Sequence, residues 1–494
     1  MTDVTLKRGA TFATLLGLIV LAGLAAALAG CAVGPNYKRP DTKVATQFVG
    51  AQAANPGSPY STQETQASFW EEFGDDTLNR LVGEALEANH DLRIALGRLV
   101  EARAERRAAK FDLAPTVTAS GGYTKQRYSA IESPTGQALE LGYYDAGFDA
   151  FWELDFFGRV RRGIEAETAQ VQAADATLRD AQVSVSAEVA RTYFELRGAQ
   201  TQLAVARRNV DNQRDTAQLT QARLEAGRAT ELDTSRAAAQ LSTTLATIGP
   251  LEATIARSMH RLAVLTGREP NAFTELLQPA RELPELPRIT AVGDPAGLLR
   301  RRPDIRIAER QLASSTALVG QAIGDLFPKV TFTGNFTYAA PELSSFGEST
   351  SRGYLIGPAI SWAAFDLGRV QAHVAGSRAR ADVALAVYEQ TVLRALEETE
   401  DALITHARTR DSLTDAADAA AASGIAARIA RTRYEGGVVD FLEVLDAERT
   451  QLAAEDQLAQ SRTQAATSLI AVYKALGGAW QVAPLPHEIH QTGS

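Results

Sequence analysis

The chain has 494 residues, of which 45% are hydrophobic and 22% charged, values of a folded protein rather than a disordered one. A net charge of −9 excludes a surface built to hold nucleic acid, which needs a basic footprint. A single cysteine excludes an intrachain disulfide and a cysteine-based metal site, and the six histidines are scattered, only His487 and His490 lying close together.

Residues 1–30 predict an export signal: Lys7 and Arg8 precede an apolar run over 11–30 that ends in small residues. A run of roughly 20 apolar residues could also be a membrane helix. Its ending decides otherwise. Leu28-Ala29-Gly30-Cys31 resembles the lipobox of bacterial lipoproteins, in which the cysteine thiol takes a diacylglyceryl group and becomes the new N-terminus. Ala32 rather than Asp after the cysteine fits sorting to an outer membrane. Residues 31–68, which include the irregular "PNYKRP" stretch at 35–40, then read as a lipid-anchored tether.

The rest of the chain is written twice. "HDLRIA" at 90–95 matches "PDIRIA" at 303–308, and "DLAPTVT" at 112–118 matches "DLFPKVT" at 325–331, both at an offset of 213. "GRV" at 158–160 recurs at 368–370 and "ARLEAG" at 222–227 as "TRYEGG" at 432–437, at an offset of 210. Such self-similarity defines the architecture before any single element does. It gives repeat 1 over 69–281, a Pro-containing linker over 282–293, repeat 2 over 294–480 and a tail over 481–494.

Each repeat has the same order of elements. A helical segment (about 75–113 and 294–325) leads into two strand-like runs around a polar loop. A very long helix follows (about 160–224 and 370–434), then a Gly-containing turn and a returning helix that ends near 266 and 477. Leu385, Tyr388, Val392, Leu396 and Leu403 keep coiled-coil spacing along the second long helix. At 1.5 Å per residue the long helices span roughly 100 Å, about the combined length of the two shorter helices beside each. In "YYDAGFDAFWELD", Tyr144, Ala146, Phe148, Ala150, Trp152 and Leu154 alternate with Asp145, Asp149, Glu153 and Asp155. In "KVTFTGNFTY", Val330, Phe332, Phe336 and Tyr338 alternate with Thr331, Thr333, Asn335 and Thr337. Strands of about 10 residues with one apolar, aromatic-rich face suit a membrane barrel. Four strands cannot close one, and open edges are not tolerated in lipid, so several chains must contribute.

With the repeat, "RPDIRIAE", "DLGRV" and "RYEGGVVDFLEVLDAERTQL" in view, nearly the whole mature chain resembles the TolC-type outer-membrane efflux protein family, in its lipoprotein branch. The resemblance implies a mainly α protein with a membrane β-barrel. Two tandem repeats of coiled-coil helices plus a hairpin would assemble as a homotrimer, giving a 12-stranded β-barrel continued by a periplasmic α-helical barrel. It implies three partners: outer-membrane lipid, a periplasmic adaptor (membrane fusion) protein and an inner-membrane RND-type pump, whose small-molecule substrates leave through the duct. No cofactor is implied beyond the lipid on Cys31, and no resident metal. Among the residues, it implies that Gly227, Gly436 and Gly437 form the tip turns that meet the adaptor. It further implies that Glu443 and Asp446, at i and i+3, form acidic rings at the periplasmic aperture. Asp233 and Tyr434 fall at the family's latch, a hydrogen bond that links neighbouring coils in the closed state. The family's archetype has an arginine near the turn where this chain has Val439, so the latch is expected to have fewer salt bridges and the closed end to be either less secured or secured differently. No Ser-His-Asp order, phosphate-cradling loop or HExxH motif points to an enzyme. A duct for type I protein secretion and a periplasmic coiled-coil lipoprotein without a pore remain the alternatives.

Overall fold

The structure is a computed structural model that describes residues 32–52, 60–61, 63, 68–133, 136–287 and 290–478. The predicted signal peptide, Cys31 and the tail 481–494 lie outside the described residues. Among the described residues no helix is long and apolar enough to cross a membrane.

In repeat 1 the chain forms helices α1 (Asp76–Ala88) and α2 (His90–Phe111), strands β1 (Thr116–Tyr128) and β2 (Leu139–Leu154), the long helix α3 (Arg159–Glu225) and the returning helix α4 (Glu231–Leu265). Repeat 2 has the same order: α5 (Pro295–Arg301), α6 (Pro303–Gly324), β3 (Lys329–Ala340), β4 (Arg352–Ser361), α7 (Leu367–Glu435) and α8 (Phe441–Ala475). α4 runs unbroken through Pro250, an exposed position where the Thr254 hydroxyl donates to the proline carbonyl at 2.9 Å.

The chain divides into two compact units. One holds the sheet, with residues 99–174 and 307–389 and the N-terminal segment as far as Asp41. The other takes in Thr42–Arg98, Asp175–Arg306 and the residues from Gln390 on.

The first unit is organised by a four-stranded antiparallel sheet in the order β1-β2-β3-β4. Register decides what each face carries, because directly paired residues share a face. Phe148 pairs with Phe336 and Phe336 with Tyr354, so three aromatic residues form one row. Ala150, Gly334 and Ile356 form the next row on that face, followed by Trp152, Phe332 and Pro358, then Leu154, Val330 and Ile360. On the other face Asp149 pairs with Asn335, whose amide donates to its carboxylate at 2.8 Å. The expected alternation is present, with one refinement. Glu153 and Asp155 are taken up at the strand–helix junction: Glu153 accepts twice from Arg159 at 2.9 and 2.6 Å. Asp155 accepts from the Val160 and Arg161 amides at 3.1 and 2.9 Å, capping α3. At the same end of the sheet, Trp152 donates its indole N–H to Leu113 O at 2.9 Å. Its repeat counterpart, Trp362, donates to Leu326 O at 3.0 Å.

The second unit shows the repeat most clearly. Where a single helix is expected over 75–113, the structure has two, separated by Asn89 in an extended conformation (φ −62°, ψ 133°). The Asn89 side-chain Oδ1 caps α2 by accepting from the amides of Asp91 and Leu92, and its Nδ2 donates to Leu265 O at 2.8 Å. In repeat 2 the same break falls at Arg302 (φ −67°, ψ 124°), which donates to Ala475 O at 2.6 Å. Each corner is therefore tied to the end of its own returning helix. Pro303 excludes an α-helical Arg302 sterically, which fixes the second corner from the sequence side. The neighbouring core contains Phe69 stacked on Tyr473 (ring centroids 4.8 Å apart) and a cluster of Phe48, Val292, Leu298, Leu403, Val472 and Leu476. Burying each large side chain of this kind contributes about 1.5–3 kcal/mol. Val292 belongs to the expected linker, which is pinned further where Thr290–Ala291 pair in parallel with Tyr60–Ser61. His406 is 1% exposed, with Nδ1 3.0 Å from Ser468 Oγ. Burial, and secondarily the charge of Arg410, hold its pKa down at about 4.

Candidate functional site

The residues singled out from the sequence meet at the two turns that end the long helices, within the second unit. Both turns are built alike. Gly227 and Gly437 each adopt φ +72°, a left-handed conformation that costs glycine little. The next amide reaches back five residues, Arg228 N to Arg223 O at 2.7 Å and Val438 N to Arg433 O at 2.9 Å. This is a Schellman termination. Gly436 differs from its neighbour, since its φ is not positive and its amide donates to Thr432 O at 3.1 Å.

The helices leaving the turns are capped. Thr230 and Asp233 form a reciprocal capping box at α4: the Asp233 carboxylate accepts from the Thr230 amide at 3.0 Å and hydroxyl at 2.7 Å. Asp440 caps α8 by accepting from the Glu443 amide at 3.2 Å.

Tyr434 is 4% exposed and packs with Ala237, Ala430, Phe441, Val444 and Leu445. Val439 lies against this cluster as one more apolar contact. Asp233 and Tyr434 line one cavity of about 710 Å³, but no hydrogen bond joins them within the protomer.

An arginine that sequence reasoning missed holds Tyr434 instead. Arg223, from the last turn of α3, places its guanidinium 3.9 Å from the centre of the Tyr434 ring. It also donates to Tyr434 O at 2.5 Å and Glu435 O at 3.2 Å. It therefore ties the end of one long helix to the end of the other, where a cation is favoured by the unsatisfied carbonyls. The only sequence signal is that Arg223 and Arg433 are repeat mates, and that offset does not say which partner each takes.

Glu443 and Asp446 both stand on the exposed side of α8. Glu443 lies 3.5 Å from Arg433, both side chains about half exposed, so the pair contributes little and leaves the carboxylate in solvent. Two residues beyond Asp446, Glu448 faces inward: 5% exposed, it accepts from Thr216 at 3.0 Å and Arg431 at 2.6 Å. The acidic stretch of α8 is thus divided between a buried, satisfied carboxylate and two that face water. Among the described residues no cluster of three or more His, Cys, Asp or Glu could hold a metal ion.

Comparison with known proteins places this architecture. The model of the outer membrane efflux protein family matches residues 81–268 and 295–478, one match in each repeat. Outer membrane protein OprJ of Pseudomonas aeruginosa is 32% identical over 459 residues, 92% of this chain and 95% of that one. The cation efflux system protein CusC of Escherichia coli is 30% identical over 93% of this chain and 98% of its own. The solved outer-membrane channel OprN superposes with a TM-score of 0.85 at 42% identity, covering 92% of this chain and all of that one. The chain belongs to the outer membrane efflux protein family.

Proposed function

We propose that the chain is the outer-membrane exit duct of a tripartite efflux assembly, working as a homotrimer with a periplasmic adaptor and an inner-membrane RND-type pump. Its cargo is small molecules, drugs among them, and it performs no catalysis. The observation that carries this reading is the sheet: one mainly apolar face, one mainly polar face and, among the described residues, two unpaired edges, which lipid tolerates only if further copies close the barrel. The long helices extend the passage to the turns at 226–231 and 436–440. There Gly227, Gly436 and Gly437 form the tip that the adaptor meets. Three copies of Glu443 and Asp446 ring the aperture and favour cations. Asp233 and Tyr434 belong to the latch of the closed state, and Arg223 secures Tyr434 from within the protomer. Cys31 carries the lipid.

The test is a purified trimer from outer-membrane extracts. A species whose gel migration shifts on heating, and which forms pores in planar bilayers, supports the duct. An intact trimer without conductance refutes it. Incorporation of radiolabelled palmitate, lost in Cys31→Ala, tests the anchor, and no incorporation into wild type overturns it. Deletion followed by drug and metal sensitivity assays narrows the cargo.

A further inference from the structure

Arg162, in the first turn of α3, has a side chain only 4% exposed, and most of its hydrogen bonds go to a segment more than 120 positions away. Nε donates to Val33 O at 3.0 Å. Nη2 reaches Ala32 O at 3.3 Å, Gly34 O at 3.2 Å and the Asn36 side-chain oxygen at 2.8 Å. Nη1 pairs with Glu165 at 2.7 Å. A buried guanidinium is costly unless its donors are used, so segment and arginine require each other. Val33 adds a backbone bond to Phe157 O at 3.0 Å.

Shape supports the same contact. A Cβ on Gly158 would lie 2.4 Å from the Ala32 Cβ, and one on Gly34 would lie 2.5 Å from the Gly320 Cα. A Cβ on Gly320 would come within 2.8 Å of Arg162 Nε. Glycines on three separate segments thus leave room for one crossing. Farther along, the Tyr37 hydroxyl donates to Glu309 at 3.1 Å and Arg39 lies 3.7 Å from the same carboxylate. The expected tether is therefore laid against α3 and α6 from its first described residue.

Its level is also set. Phe157 and Gly158 come three and four residues after the end of β2, the strand end that carries Trp152, and Trp152 and its counterpart Trp362 are tryptophans of the kind that mark a membrane boundary. Cys31 is one residue, about 3.8 Å of chain, before Ala32.

We propose that this groove is the docking site for the chain's own processed N-terminus. Arg162 is the positioning residue that holds the lipid-bearing end beside the barrel wall, so that its acyl chains enter the inner leaflet at a fixed place. The positioning half rests on the reading of Cys31 as the lipidated residue; the docking half does not.

Limited trypsin digestion of palmitate-labelled, full-length trimers tests it, followed by mass spectrometry of the cut after the exposed Lys38. The expected result is slow cleavage in wild type, at least about tenfold faster in Arg162→Ala, and intermediate in Arg162→Lys, which keeps the charge without the fork. The released peptide carries the label. Heat-dependent gel migration checks that the trimers are intact. Should Arg162→Ala fail to assemble, Asn36→Ala, which alters the segment alone, is expected to speed cleavage about threefold. Equal cleavage of wild type and intact variants overturns the docking site. Faster cleavage with no label in wild type overturns the positioning of lipid and leaves the docking site standing.

Discussion

Replacing Arg223 with alanine should loosen the closed end of each protomer without unfolding it. Two contributions are lost. The stack on Tyr434, at 3.9 Å and only partly exposed, is worth about 1 kcal/mol. The bonds to Tyr434 O and Glu435 O, at the carbonyl end of α7, add about 1 kcal/mol after allowance for solvent. A loss of about 2 kcal/mol raises the open-to-closed ratio of one end roughly 30-fold. Arg223→Lys keeps the charge but not the planar fork, so about half that energy and a roughly fivefold rise are expected. Single-channel recording of purified trimers in planar bilayers reads the ratio directly, and a thermal melt should move by only a few degrees. Intact Arg223→Ala trimers whose open-to-closed ratio stays within about threefold of wild type would refute this account of Tyr434.

Tyr434→Phe with Asp233→Ala should raise conductance, and the aspartate change alone should cost about 1 kcal/mol because it breaks the capping box; unchanged conductance would sink the latch assignment. Glu443→Gln with Asp446→Asn should reduce cation preference, seen as a shift of reversal potential in a salt gradient, whereas Arg433→Ala, which frees Glu443, should move it the other way. Phe336→Arg places a charge in the aromatic row between Phe148 and Tyr354; a cost of about 2–4 kcal/mol should appear as loss of the heat-shifting trimer. His406 makes stability depend on pH. The unfolded chain takes up a proton near pH 6.5 that the folded chain refuses until about 4, so stability falls as pH drops through that window and is flat above it. The loss approaches about 3 kcal/mol near pH 4, and His406→Gln should remove it from denaturant titrations.

What was legible in the sequence was whatever repeats or alternates. The offsets of 213 and 210 foretold both copies of every major element, and period-two spacing assigned Phe148, Phe336 and Asn335 to their faces before register was known. What was not legible depends on partners far along the chain. The break at Asn89 lies inside a long stretch of helical periodicity and is completed by a carbonyl 176 residues away. A local trace existed, since Asn-His-Asp suits a helix start and Arg302 precedes a proline, but the long periodic stretch outweighed it. Glu153 and Asp155 continue the alternation, and only the turn into α3 brings their arginines and amides within reach. At the candidate site, residue identities placed Glu443, Asp446 and Tyr434 together. They could not reveal that Arg223, 211 residues before Tyr434, donates to the Tyr434 carbonyl and stacks on its ring.

The strand count carries a consequence of parity. Because β1 to β4 alternate in direction, the two free edges run opposite ways. Copies inserted with the same side up can then pair unlike edges antiparallel, while like edges would meet parallel and less stably. Each seam leaves a fresh unlike edge exposed, so joining is head-to-tail and ends only when rotation brings the last edge to the first. An even number of strands per chain thus makes ring closure the default and a two-copy sandwich the exception.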